Sequence, residues 1–444
     1  MPLRLSFASL LHSGVLLLLL LTAGASTGLS DDLPPESLLL ARFKQKVRQD
    51  VGRIANCTCL ETIERSVREP GANSFQFLDR VRLEVTTAGE KELLTWPSGA
   101  HFEDWAVTSF VKSGLVASGM FASYARNLFL SDAASFQYAG PEELEGRRTV
   151  RYDFKVSRLS SLYRLRSGNG AATVATKGSF WFDAGSLELI RLDEFANEIP
   201  AEMGLTGALT RIRYGRMPSA VPEVLLPRSA EVELRHSSGE VRRNKIEFAQ
   251  CREYRAESSI SFDSPELATE ASQAEPSRVG LPAGLTVKME LESGFDSATA
   301  AIGDAVRARV VENVRRSGKT ILPKGAIVTG RIRSMERQSR SGGFLLGIEL
   351  TGVRWENNRG EFRADLLEAS TVAQIKRPQD LQAGGGNIIP LSGSPPSTET
   401  APPERSRTQI RVASAIPGVG RLFVKGEQWR LAPGLRMVWR TLGP

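Results

Sequence analysis

The sequence predicts a β-rich α+β fold: a curved antiparallel half-barrel sheet with an N-terminal helix and a helical insertion, followed by a small all-β barrel-like domain. Three observations predict it. Apolar residues alternate with period two in one short segment after another from residue 57 onward. Only two segments carry the three- and four-residue apolar spacing of a helix, and both lie in the first third of the chain. A polar, Pro/Ser/Ala-bearing stretch at 265–280 parts the alternating segments into two groups, and 444 residues exceed the roughly 250–300 that one core serves.

The elements follow in order. Arg4 supplies a short positive region, Val15 to Leu21 are unbroken apolar, and Ala23-Gly24-Ala25 offers small residues before Ser26. This is the order of a cleavable signal peptide, expected over residues 1–25. The continuous apolar part is far shorter than the ~20 residues of a spanning helix, so cleavage is favoured over an anchor. The mature chain is therefore expected in the periplasm or another extracytoplasmic space. A helix is expected with its stripe at Leu39, Leu40, Phe43, Val47, Val51 and Ile54, capped by Ser37 because Pro35 cannot continue a helix. Strands are expected at 57–63, 75–85 and 94–96. A second helix over 118–129, capped by Ser118, carries Met120, Phe121, Tyr124 and Leu128. Strands resume at 136–138, 149–156, 178–182, 187–192, 209–214, 228–235 and 241–251, which gives a first domain over about 33–264. After the linker at 265–280, a second domain over 281–444 has strands at 285–291, 305–314, 320–322, 326–334, 344–350 and 361–367. Residues 375–408, rich in Gly and Pro, cannot bury enough apolar surface and are expected to be a disordered excursion. Strands return at 409–413, 421–425 and 434–440.

Chemistry is hard to find. Three histidines and three cysteines in the whole chain make a metal centre an unfavoured reading. The one nucleophile-elbow match, Gly24-Ala25-Ser26-Thr27-Gly28, straddles the cleavage junction and follows no strand. Gly318-Lys319-Thr320 would need a glycine at the place of Asn313 to resemble a phosphate loop. Adjacent acids such as Glu142/Glu143 and Asp193/Glu194 point apart on a strand or turn. No catalytic residue and no cofactor is assigned, and an enzyme is the weakest reading. The net charge of +7 is spread along the chain; it suits solubility first and an anionic surface second, with no nucleic-acid site.

Cys57 and Cys59 share one face of their strand and are poorly placed to bond each other, whereas each can reach a neighbouring strand. A bridge from Cys59 to Cys251, at the end of the first domain's last strand, is preferred, since Cys59 lies further from the helix end. Two buried thiols with an unrelated Cys251 is the alternative. Between 102 and 136 apolar residues crowd together around Gly114 and Gly119, which would let a segment bend. Plain core is the first reading. If there is instead an apolar cavity under a flap, its lining is Phe102, Trp105, Phe110, Leu115, Phe121 and Tyr124, with Trp181 and Phe182 from the hairpin.

The order of elements, and the paired strands Gly178-Ser179-Phe180-Trp181-Phe182-Asp183-Ala184-Gly185-Ser186-Leu187-Glu188-Leu189-Ile190-Arg191, resemble the half-barrel of the LolA-like periplasmic lipoprotein carriers. They also resemble the related RseB-like envelope-stress regulator. The likeness covers about 33–264 and implies a concave apolar surface that shelters acyl chains or a protein segment. The carriers lack a second domain, and none of their lipid-binding arginines can be placed here. Leu281-Pro282-Ala283-Gly284-Leu285, Ile302-Gly303-Asp304-Ala305-Val306 and Ile321-Leu322-Pro323-Lys324-Gly325-Ala326 resemble the TrbI-like β-barrel of conjugation and secretion channels, over about 281–368. The leading expectation is a non-catalytic envelope binding protein for a lipid or lipoprotein, with peripheral membrane contact allowed. The runner-up is a structural component that adds strands to an envelope partner.

Overall fold

The computed structural model describes residues 34–253, 277–369, 388–390 and 417–443, apart from short gaps at 55–56, 90, 100–101, 103–106, 112–113, 169, 217–223 and 340–341. The expected signal peptide, most of the expected linker and excursion, and the strand expected at 409–413 lie outside the described residues. No described helix is long and apolar enough to cross a membrane.

The first helix, α1 (Pro35–Ile54), buries Phe43, Val47, Val51 and Ile54. It begins at Pro35 and does not use Ser37 as its cap: the Ser37 amide donates to the Pro34 carbonyl at 2.8 Å. Proline is tolerated in a first turn, where its missing N–H would have had no intrahelical partner.

Ten strands form the first sheet: β1 (Cys57–Arg68), β2 (Gln76–Ala88), β3 (Lys91–Thr95), β4 (Ala134–Leu144), β5 (Arg147–Val156), β8 (Ala175–Asp183), β9 (Leu189–Asn197), β10 (Leu205–Arg216), β11 (Leu225–His236) and β12 (Val241–Glu253). A separate ribbon, β6 (Arg164–Ser167) with β7 (Gly170–Thr173), rises between β5 and β8. The sheet order is β3-β2-β1-β12-β11-β10-β9-β8-β5-β4, antiparallel throughout. First and last strands of the domain are thus central neighbours. A disulfide joins Cys59 of β1 to Cys251 of β12, where the ladder slips between Thr58 and Leu60. Cys57 remains a buried thiol, its pKa raised first by burial and then by Glu253.

The second helix, α2 (Ser123–Phe129), is shorter than the expected 118–129. Gly119 has φ +95°, which ends any helical run there, and Ser118 is not the cap. Glu92 of β3 takes that role, accepting the amides of Gly119 and Ala122 at 2.9 Å each and of Ser123 at 3.2 Å.

The second domain begins with β13 (Ser277–Arg278), inside the stretch expected as linker. It continues through β14 (Thr286–Leu291), β15 (Phe295–Asp296), β16 (Ala305–Val310), β17 (Val314–Arg316), β18 (Lys319–Leu322), β19 (Ile327–Gln338), β20 (Gly343–Trp355), β21 (Asn358–Glu361) and β22 (Ala364–Ala369). Then come β23 (Ile388–Pro390), β24 (Val419–Lys425), β25 (Arg430–Leu431) and β26 (Arg436–Thr441). The main sheet runs β13-β21-β20-β19-β16-β14-β26-β22, and β24 pairs with both β20 and β23. Curling brings β24 beside β22. The Gly418 amide donates to Asp365 at 3.2 Å, and a Cβ on Gly420 would meet Leu366 and the Trp439 ring. No ladder joins these two strands, so the sheet is barrel-like without closing.

The two domains share a continuous core. β3 pairs with only the Glu84–Ala88 half of β2. The other half of that edge is covered by the second domain: Ile302 bridges Val81, accepting the Arg82 amide at 2.8 Å and donating to the Arg80 carbonyl at 2.7 Å. A bare ladder edge is an aggregation hazard, and this contact removes part of it.

Candidate functional site

Alternation places a face of β1 in the interior that reads Cys57, Cys59, Glu61, Ile63, Arg65, Val67. Register carries this face across the sheet in parallel rows. One row is apolar and runs from Phe180 through Leu192, Ile212, Ala230, Ile246 and Ile63 to Val81. Over its β8 end lies Phe43 of α1, with its ring 4.3 Å from Phe182 and 5.1 Å from Phe180, and edge-on to Phe129 of α2 at 5.1 Å. Aromatic pairs at such spacings add to the burial of their area. The apolar part of the concave face is thus filled by the protein's own side chains.

The next row is polar. Glu194, Thr210, Val232, Asn244, Arg65 and Asp79 are successive cross-strand partners. Arg65 forks onto Asp79 through Nε at 2.6 Å and Nη2 at 2.5 Å, and both side chains are buried. Thr210 Oγ1 lies 3.1 Å from the Tyr124 hydroxyl and 3.3 Å from that of Tyr163. Asn244 donates to the Leu115 carbonyl at 3.0 Å, while its Oδ1 has no hydrogen-bond partner among the described residues. Burial pushes Glu194 up to about 7. Glu61, at 4% exposure, is pushed up to about 8, first by burial and then by the charge of Glu92. Burial, with Glu92 and Glu194 nearby, also raises Tyr214, whose buried hydroxyl has no hydrogen-bond partner among the described residues. Beyond the polar row a small second cluster, Leu165, Val174, Met203, Leu205, Ala208 and Leu234, is packed by Leu115 and Tyr163.

Residues 107–111 and 114–130 cover both rows. Phe110 and Phe121 are fully buried, Phe110 edge-on to Trp96 at 4.8 Å and Phe121 5.7 Å from Phe248. Phe182 is buried in the same core, and Leu115 and Tyr124 pack against it. Phe102 is partly buried, and Trp105 lies outside the described residues. Trp181 does not belong with Phe182. Successive strand residues face opposite ways, and Trp181 lies on the outer face between Arg151 and Arg191, donating Nε1–H to Glu142 at 3.1 Å. Sequence reasoning missed the polar row. Its signal was legible in β1, where Arg65 occupies the buried phase of a largely apolar alternation; Glu61 shares that phase but lies across the apolar row, paired with Leu83 and Phe248.

No protein-family model matches the chain, and no curated protein matches it. Among solved structures it is similar to a DUF1329 family protein from Desulfovibrio piger, at 12% identity over 51% of this chain and 96% of that one, with a TM-score of 0.28. It is also similar to a putative outer membrane lipoprotein-sorting protein domain from Vibrio parahaemolyticus, at 12% identity over 49% of this chain and 95% of that one, with a TM-score of 0.27.

Proposed function

We propose that the protein is a non-catalytic extracytoplasmic binding protein whose half-barrel takes up an amphiphile, a lipid or the acyl chains of a lipoprotein, in place of its own cover. The observation that supports this is the pairing of an apolar row with a hydrogen-bonding row on one face of the sheet, under a covering segment. The cover contributes Phe110, Phe121, Leu128 and Phe129 to the core. Its glycines, Gly114 and Gly119, have φ of +91° and +95°, and Glu92 anchors it by accepting hydrogen bonds from three backbone amides. An acyl chain entering there gains roughly 0.8 kcal/mol per buried methylene, enough over a long chain to offset displaced aromatic contacts. Native mass spectrometry of detergent-free protein should show a bound lipid, and a fluorescent fatty-acid analogue should bind saturably. Glu92→Gln should speed its entry. Lipid-free protein that also fails to saturate with the analogue would sink the reading.

The strand-addition reading has one observation in its favour. Among the described residues β4 is the outer strand of the sheet and pairs only with β5. Its edge is blunted by Pro141 and by the slip between Tyr138 and Gly140, so it ranks second.

A further inference from the structure

We propose that the turn after β5, together with the β6–β7 ribbon, is a docking surface for an anionic lipid bilayer. Single exposed leucines are ordinary on protein surfaces. Here two stand three residues apart on one projecting loop, Leu159 at 97% and Leu162 at 76% exposure. The loop is built to hold them out. Residues 157–160 form a turn in which the Ser160 amide donates to the Ser157 carbonyl at 3.1 Å and to its hydroxyl at 3.3 Å. The two seryl hydroxyls meet at 3.2 Å. Leu159 occupies the third position of that turn, where its side chain meets only solvent.

From Lys155 to Lys177 the chain carries cations and no carboxylate. Lys155, Arg158, Arg164, Arg166 and Lys177 are all exposed, and none forms an ion pair among the described residues. Several arginines elsewhere on this sheet are paired: Arg147 with Asp183, Arg151 with Asp153, Arg213 with Glu145, Arg216 with Glu188. Lys155 and Lys177 are direct cross-strand partners in the β5–β8 ladder. Like charges set opposite each other weaken a ladder, so this pair costs stability that a single carboxylate would recover. Phe195 follows as the partner of Lys177 in β9 and is 40% exposed, adding apolar area to the same row.

A side chain as bare as Leu159 is best buried by a medium that surrounds it. Hydrocarbon below a headgroup layer does that. Cations set behind the apolar tips then lie at the depth of anionic phosphates, each adding attraction that salt screens. The loop also touches the interior, because Tyr163, next to Leu162, bonds Thr210 of the polar row. The docking surface does not depend on amphiphile binding in the half-barrel, and either can fail alone.

Flotation of the mature, full-length protein with two kinds of vesicle tests it: phosphatidylcholine alone, and phosphatidylcholine with about one third phosphatidylglycerol. The protein should float with the anionic vesicles at low salt, float less at high salt, and stay behind with the neutral ones. Leu159→Ser with Leu162→Ser should weaken binding about tenfold or more. Arg158→Gln with Arg166→Gln should weaken it about tenfold at low salt and little at high salt. Circular dichroism and fatty-acid-analogue binding should be unchanged in both, because the altered side chains are exposed. Equal flotation with neutral vesicles, or a leucine variant that floats like the parent, overturns the proposal. So does absence of flotation with either vesicle, which would leave the leucines to a protein partner.

Discussion

Glu61 sits between Cys59 and Ile63 on the inner face of β1, where its carboxyl is cheaper to bury protonated than charged. Unfolding returns it to water and to an ordinary carboxylate pKa. Between that value and about 8 the folded chain therefore binds the extra proton, and stability must fall as pH rises through the window. Glu194, raised to about 7, works in the same direction over a narrower range. Glu61→Gln, neutral at every pH, should flatten the decline: its melting temperature should exceed the parent's in mild alkali and match it in mild acid. A parallel decline in both proteins would remove Glu61 as the source. The cysteines make a second case at this scale. The Cys59–Cys251 bridge closes a sequence separation of 192 residues, for which the chain-entropy model allows about 5 kcal/mol. Cys59→Ser should lower the melting temperature sharply, and Cys57→Ser only slightly. Strand phase made a reach from either cysteine to Cys251 legible in the sequence. The choice between them depends on the slip at Thr58/Leu60, which no local pattern announces.

At the scale of elements, periodicity read most strands within a few residues, because each buries one face and exposes the other. It failed where apolar spacing reports burial without a helix. Met120 and Phe121 are fully buried, yet they precede α2 in a turn shaped by Gly119. The β6–β7 ribbon was missed because its mostly polar and small residues leave little alternation to read. The cap on α2 comes from Glu92, some thirty residues earlier in the chain, and is invisible to any local rule. Glu92→Ala should leave three amides of the cover without their acceptor, a loss of roughly 1–3 kcal/mol. Hydrogen exchange should then quicken over 119–130 while β10 to β12 keep their protection. Uniform quickening across the sheet would show that Glu92 supports the whole domain and not its cover. Phe43→Ala tests the helix on the other side of the same space. Losing a ring packed against Phe129, Phe180 and Phe182 should cost about 3–5 kcal/mol unless α1 collapses inward.

At the scale of the whole molecule, length and the polar stretch at 265–280 led to the expectation of two domains, and neither tells how firmly the two large sheets are joined. The join rests on residues more than two hundred positions apart. Arg333 donates to the Phe110 carbonyl at 2.7 Å, and Arg331 and Arg333 lie over the Trp96 ring at 5.1 and 5.4 Å. Arg82 pairs with Asp304, and Phe77 faces Phe344 at 6.1 Å. Gly303 stands at the centre of this contact with φ +103°, and a Cβ there would meet the Arg82 carbonyl and the Trp96 ring. Only glycine fits, for both backbone and space. Because Phe110 begins the cover, the second domain also holds one end of the segment that Glu92 holds at the other. Calorimetry of the parent should therefore show one cooperative transition. Gly303→Val should wedge the contact apart and split it into two, the earlier one accompanied by faster exchange at 107–111. Arg333→Ala, which loses the clamp without adding bulk, should quicken the same exchange and leave a single transition at a slightly lower temperature. If Gly303→Val melts in one step at the parent's temperature, the interface carries no coupling, and the cover answers to Glu92 alone.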